Sequence, residues 1–137
     1  MGKDGLMTNL PELIGSEKQI AWAESIRSQA IPAVEDEWRK YCDMARQAVE
    51  QLDAPQWIRD LVSEASADIW AFPMLVICDW YDEAGLGSGS VRLQTEAIHT
   101  TLDRLRTETD CRWWIDRNKW SGGMLVAETI KQTRKAE

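Results

Sequence analysis

Six apolar side chains recur at helical spacing between residues 34 and 52, and this pattern limits the possible fold more than any other feature. They step by 4, 3, 4, 3 and 4 residues, which places them on one stripe of an α-helix. The six are Val34, Trp38, Tyr41, Ala45, Ala48 and Leu52. We therefore expect a long helix with this stripe facing a core.

A second helix signal precedes this stripe. Ser16 is followed three residues later by Gln19, as in a capping box, so we expect a helix from about Glu17. Pro32 lies between the two signals. Proline lacks a backbone donor and clashes with the preceding turn, so we expect a kink or a restart there.

Two further helices are predicted in the middle of the chain. Asp53 and Pro55 are typical of the start of a short helix, whose expected core residues are Trp57, Ile58, Leu61 and Val62. Ser66 and Asp68 can cap the next helix, to about Ala84, in which Pro73 should produce a kink or mark the first turn. We reject a strand over residues 74–78 because no second strand is predicted to pair with it.

The remaining segments complete an all-helical fold. Residues 85–90 form a Gly/Ser-rich loop, and helices are expected at 91–109 and 124–135. The prediction is an all-α, compact bundle of five or six helices without a sheet. Residues 1–16 form an N-terminal extension, and residues 17–137 form one domain.

Composition indicates the cellular compartment of the protein. No apolar run approaches the roughly 18 residues needed to cross a bilayer. The three cysteines lie far apart and form no CxxC pair, which is typical of a reducing compartment. We therefore expect a cytoplasmic protein.

The formal charge of −7 is concentrated in one segment. Residues 53–84 contain seven carboxylates, and their only cation is Arg59. Such a segment suits a basic partner better than a phosphate backbone. Its candidate partner-binding residues are Asp60, Glu64, Asp68, Asp79, Asp82 and Glu83.

The C-terminal segment has the opposite character. Trp113, Trp114 and Trp120 lie within eight residues, and the segment from 111 onward is basic. Exposed tryptophan beside arginine is common at protein interfaces, so Trp113 and Arg117 join the partner-binding candidates. There are two alternatives for this segment. It can pack with Trp22 in a second small core, or it can stack single-stranded bases.

Catalytic and metal chemistry has little support. Glu96, His99 and Asp103 can share a helical face, but di-metal bundles need a second Glu–His pair and this chain has one histidine. Cys111 is the most plausible reactive thiol, with His99 as its only available base. We expect no enzymatic activity, no cofactor and no metal.

Two segments resemble a loose family of small bacterial, phage and plasmid proteins. They are GSEKQIAWAESIR at 15–27 and CRWWIDRN at 111–118. The resemblance makes Trp22, Arg27, Trp114, Asp116 and Arg117 signature positions. It implies a docking set in which Arg27 pairs with Asp116 and Trp22 packs on Trp114.

The leading hypothesis is a non-enzymatic module that binds a basic protein through its acidic segment. An inhibitor of a host defence nuclease, of the anti-CRISPR or anti-restriction type and carried by a phage or mobile element, is one form of this hypothesis. The alternative is a single-stranded nucleic-acid binder that uses the C-terminal tryptophans.

Overall fold

The computed structural model describes residues 10–65 and 69–136. Over these ranges the chain forms six α-helices, one 3₁₀ turn and no strand, which confirms the predicted all-α bundle. The helices are α1 (Glu17–Gln51), α2 (Gln56–Glu64), α3 (Met74–Glu83), α4 (Gly89–Thr107), α5 (Cys111–Asp116) and α6 (Gly122–Ala136). The 3₁₀ turn, Ile69–Ala71, precedes α3.

The first helix begins where the capping box predicts. The Ser16 hydroxyl accepts from the Gln19 backbone N–H at 3.2 Å, and the Gln19 side chain accepts from the Ser16 N–H at 3.0 Å. These two bonds satisfy donors that a helix start leaves unpaired.

Helix α1 continues through Pro32, so a restart at this proline is wrong. The proline removes a single backbone hydrogen bond, whereas the residues on both sides of it lie in the core. Ile31 and Val34 are fully buried against the rest of the bundle. Their burial offsets the lost bond and keeps the helix continuous.

The predicted stripe on α1 is confirmed at its N-terminal end, but other residues are buried toward the C-terminal end of the helix. Val34 and Trp38 are buried, but Leu52 follows the helix and is exposed. Cys42 and Val49 take the buried positions instead. The buried face of α1 changes along its length because several helices pack on it. Helices α4, α5 and α6 contact α1, and so do the short helices α2 and α3.

Proline 73 marks the start of α3, one of the two predicted possibilities. It immediately precedes Met74, and the 3₁₀ turn stands where the longer helix was expected to begin. The expected caps, Ser66 and Asp68, lie outside the described residues.

The last helix starts in close contact with the first. A methyl group on Gly122 would collide with the backbone carbonyl of Ala33 in α1. Glycine is therefore required for α6 to pack this closely, and α6 begins two residues before the predicted Met124.

Candidate functional site

The carboxylates at the end of α3 are paired with a cation from α4. Arg92 forms ion pairs with both Asp79 and Asp82, and its distance to Asp82 is 2.9 Å. The backbone N–H of Ser88 also donates to Asp82 at 2.6 Å. These two predicted partner-binding residues therefore hold the connection between α3 and α4.

The same contacts shift the protonation of Asp82. Hydrogen bonds from Ser88, followed by the contact with Arg92, hold the pKa of this carboxyl below its ordinary value. Arg92 lies outside the acidic segment, so counting charges along residues 53–84 misses it. The turn between α3 and α4 places Arg92 next to Asp82, which lies ten residues earlier in the sequence.

The outward side of α2 is different. Trp57 has 57% of its surface exposed, although we expected it in the core. Asp60 and Glu64 are also exposed and follow Trp57 by three and seven residues, so all three lie on one helical face. We call these three residues the α2 outer face.

The exposure of Trp57 has a geometric cause. Ile58 takes the fully buried position on α2, and an adjacent residue points about 100° away. Leu61 and Val62 are half-buried. Helix α2 is short and packs chiefly on α1, so one side of it has no cover in the described structure.

The α2 outer face keeps its negative charge. Asp60 accepts a hydrogen bond from the neutral Gln56 amide at 2.9 Å, and in the described part of the chain neither Asp60 nor Glu64 has an ion pair. The nearby cation Arg59 is turned to Asp53 and to the Ala54 carbonyl. Glu83 is exposed on α3, and Asp68 lies outside the described residues.

The C-terminal tryptophans form a packed cluster with arginines. Trp114 is fully buried, and its indole N–H donates to the Glu108 carbonyl at 3.2 Å. The Arg117 guanidinium lies 4.0 Å from the centre of the Trp113 ring and 5.4 Å from that of Trp120.

Arg117 is itself fixed by helix α6. Two of its nitrogens donate to the two carboxylate oxygens of Glu128, each at 2.9 Å, and Arg104 also lies 4.9 Å from the centre of the Trp113 ring. The cluster therefore joins α5 to α6. Base stacking would need an uncovered ring face. Arg104 and Arg117 lie over the Trp113 ring, so its geometry gives that alternative no support.

The signature residues of the family resemblance do not pair as expected. The Arg27 side chain donates to the Pro11 carbonyl at 2.9 Å, and Asp116 is exposed with no ion pair among the described residues. Burial lowers the pKa of Arg27. Trp22 is 50% exposed, so it is not part of a second core with Trp114.

His99 belongs to an aromatic group on the α3–α4 side of the bundle. Its ring makes edge contacts with Trp38 and Trp70, at centroid distances of 4.8 and 5.2 Å. Burial lowers the pKa of His99, which favours the neutral imidazole.

We looked for metal-ligand clusters and exposed thiols within residues 10–65 and 69–136. Among the described residues, no three His, Cys, Asp or Glu side chains lie close enough together to hold a metal ion. Cys42, Cys78 and Cys111 are all buried. Burial raises the pKa of Cys42 to about 12, and burial together with Asp110 raises the pKa of Cys111. Burial and the raised pKa therefore give no support to Cys111 as a reactive thiol.

Comparisons with protein-family models, curated proteins and solved structures find no match to this chain. Over the described ranges, none of the helices has both the length and the apolar character needed to span a membrane.

Proposed function

We propose that this chain is a cytoplasmic, non-enzymatic protein-binding module whose partner places an arginine- or lysine-rich surface on the α2 outer face. One observation carries the proposal: Trp57 is more than half exposed on the same helical face as Asp60 and Glu64. Tryptophan is among the residues enriched at the energetic centres of protein interfaces, together with tyrosine and arginine.

The chemistry of this face favours arginine in particular. A guanidinium can stack on an indole ring while it donates hydrogen bonds to a neighbouring carboxylate. Trp57 and Asp60 are three residues apart on α2, so one arginine can contact both. Glu64 extends the negative charge by one further turn.

The narrower form of the proposal concerns what the partner's basic surface normally binds. A cationic channel for nucleic acid attracts carboxylates as it attracts phosphates. An inhibitor of a host defence nuclease would use the α2 outer face in this way. Asp79 and Asp82, in contrast, are already paired with Arg92 and are assigned to stability.

The test uses a hexa-arginine peptide as a defined probe, titrated calorimetrically into the full chain at low salt. The triple variant W57A/D60N/E64Q should bind about tenfold more weakly, because it loses one stacking contact and two charges. The matched control D79N/D82N removes two charges elsewhere and should bind as the wild type does. Equal losses in both variants would show that only net charge matters and would overturn the proposal.

A further inference from the structure

The outward side of helix α6 carries positive charge. Its buried face, which includes Leu125 and Val126, packs against α1 and α4. Lys131, Arg134 and Lys135 are exposed on the opposite side, since residues three and four apart share one face of a helix. In the part of the chain that the structure describes, none of these three cations forms an ion pair. We call the three cations the α6 outer face.

The helix dipole explains only part of this charge. Arg134 and Lys135 lie in the last turn of α6, where a cation is favourable next to the unpaired carbonyl groups. Lys131 lies one turn earlier, and the dipole effect falls off within the last turn. All three side chains stay exposed, so their charges remain available to an anionic surface.

The α2 outer face carries the opposite charge, and the two faces are separate within one chain. Helix α2 packs chiefly on α1, whereas α6 packs on both α1 and α4. Trp57 is more than half exposed, so α6 of the same chain does not cover it. An α6 outer face that contacts the α2 outer face therefore belongs to a second molecule.

The residues of the two faces have matching spacing. Asp60 follows Trp57 by three residues on α2, and Lys131 precedes Arg134 by three residues on α6. In an antiparallel pair of helices, Arg134 therefore lies opposite Trp57 when Lys131 lies opposite Asp60. Each separation is about 4.5 Å along the helix axis.

We propose that the chain associates with itself, with the α6 outer face of one copy bound to the α2 outer face of another. Self-association of this kind rests on the proposed function, because the α2 outer face is one half of the contact. A contact between two different surfaces is heterologous, so copies add one after another unless they close into a ring.

The antiparallel register gives the charged groups their partners. The Arg134 guanidinium stacks on the exposed Trp57 ring and donates to Asp60. Lys131 lies between Asp60 and Glu64, which are one helical turn apart, and its ammonium group donates to both. The third cation of the α6 outer face adds to the attraction at longer range.

The contact is weak enough for a more basic partner to displace it. Exposed ion pairs contribute little each, and salt screens them. The α6 outer face supplies three cations, so a partner with a larger basic surface takes its place on α2. Self-association therefore covers the α2 outer face at high concentration until such a partner binds.

Sedimentation velocity of the full chain at low salt, over a range of concentrations, tests the contact. The wild type should associate as its concentration rises, and added salt should weaken the association. The variant K131Q/R134Q/K135Q, here the α6 variant, should associate about tenfold more weakly because it loses three cations. A wild type that stays monomeric, or an association that is insensitive to salt, would overturn the proposal.

The matched control is K18Q/R112Q/K119Q. It removes three exposed cations that also lack ion pairs in the described structure, so its net charge equals that of the α6 variant. The control should associate as the wild type does. Equal losses in the two triple variants would show that net charge alone governs association and would overturn the assigned contact.

Mixing two variants tests whether the contact joins different surfaces. The α6 variant keeps its α2 outer face, while W57A/D60N/E64Q keeps its α6 outer face. Each alone should associate about tenfold more weakly than the wild type. An equimolar mixture should form a one-to-one dimer, because one intact contact remains. Absence of this dimer, or full association of either variant alone, would contradict the pairing of the two faces.

A titration with hexa-arginine separates self-association from the proposed function. The α6 variant retains Trp57, Asp60 and Glu64, so it should bind the peptide at least as tightly as the wild type. Binding of the peptide by a wild type that stays monomeric would overturn self-association and leave the proposed function intact. Equal binding of the peptide by the wild type and by W57A/D60N/E64Q would instead overturn the proposed function, and the self-contact with it.

Discussion

The α2 outer face and the end of α3 come from the same acidic segment but differ in what surrounds their carboxylates. Asp79 and Asp82 share Arg92, and Asp82 also accepts from the Ser88 backbone. Asp60 and Glu64 lie beside the exposed Trp57, while Arg59 is directed elsewhere. Carboxylates with internal partners stabilise the fold, and those without cations remain available to a second molecule.

The largest expected effect concerns Trp57. The variant W57A should weaken binding of the hexa-arginine probe by about fivefold, since a stacked cation on tryptophan contributes up to about 1 kcal/mol at an exposed site. It should change the free energy of unfolding by less than about 0.5 kcal/mol. Calorimetric titration and urea denaturation measure the two quantities.

W114A is the matched comparison for this variant, because Trp114 is fully buried. It should destabilise the chain by about 3–5 kcal/mol. A loss of stability in W57A as large as that in W114A would show that Trp57 is a core residue and would remove the contrast.

The charges on α2 should have the next effect. The double variant D60N/E64Q should weaken binding of the probe by about two- to threefold, because exposed ion pairs contribute little each. It should also flatten the dependence of affinity on salt, which screens exposed charges. Titrations at several salt concentrations measure both, and a salt dependence equal to that of the wild type would argue against a role for these charges.

A substitution at the end of α3 should lower the stability of the chain rather than weaken binding of the probe. D82N removes an acceptor of the Ser88 N–H and an ion-pair partner of Arg92, so the melting temperature should fall by a few degrees. D60N is the control and should leave the melting temperature unchanged. Thermal unfolding followed by circular dichroism checks this, and an unchanged melting temperature in D82N would place Asp82 with the available carboxylates.

The smallest expected effect is the pH dependence of the difference in melting temperature between the wild type and D82N. The pKa of Asp82 is lowered in the folded chain, so its contribution to stability is present above the unfolded value of about 4 and is lost as pH falls below it. The gap in melting temperature between wild type and D82N should be constant from about pH 5 to 8 and shrink below about pH 4. Unfolding scans across this range test the sign, and a gap that widens in acid would contradict it.

Local rules predicted the parts of the fold that local chemistry determines. Ser16 and Gln19 mark the start of α1, and Val34 and Trp38 occupy its core face, as their spacing indicates. Of the kink or restart expected at Pro32, the restart is wrong. The cost of one missing hydrogen bond is visible in the sequence, whereas the burial of the neighbouring residues is not. Propensity is overridden by packing at this position.

The candidate sites depended on contacts between elements, which spacing does not reveal. Arg92 reaches Asp79 and Asp82 only after the loop between α3 and α4 is formed. Trp57 was assigned to the core because its residue type suits one, but Ile58 occupies the buried position on that short helix.

The most direct test of the α2 outer face is photocrosslinking from position 57 in a bacterial lysate. The chain carries p-benzoylphenylalanine in place of Trp57, and a matched chain carries it in place of Trp22. Trp22 is similarly exposed, but Ser25 and Gln29 follow it at the spacings at which Asp60 and Glu64 follow Trp57. The account predicts an adduct with a basic protein from position 57 alone, lost when D60N/E64Q is added. An identical adduct from position 22, or one that survives D60N/E64Q, would contradict it.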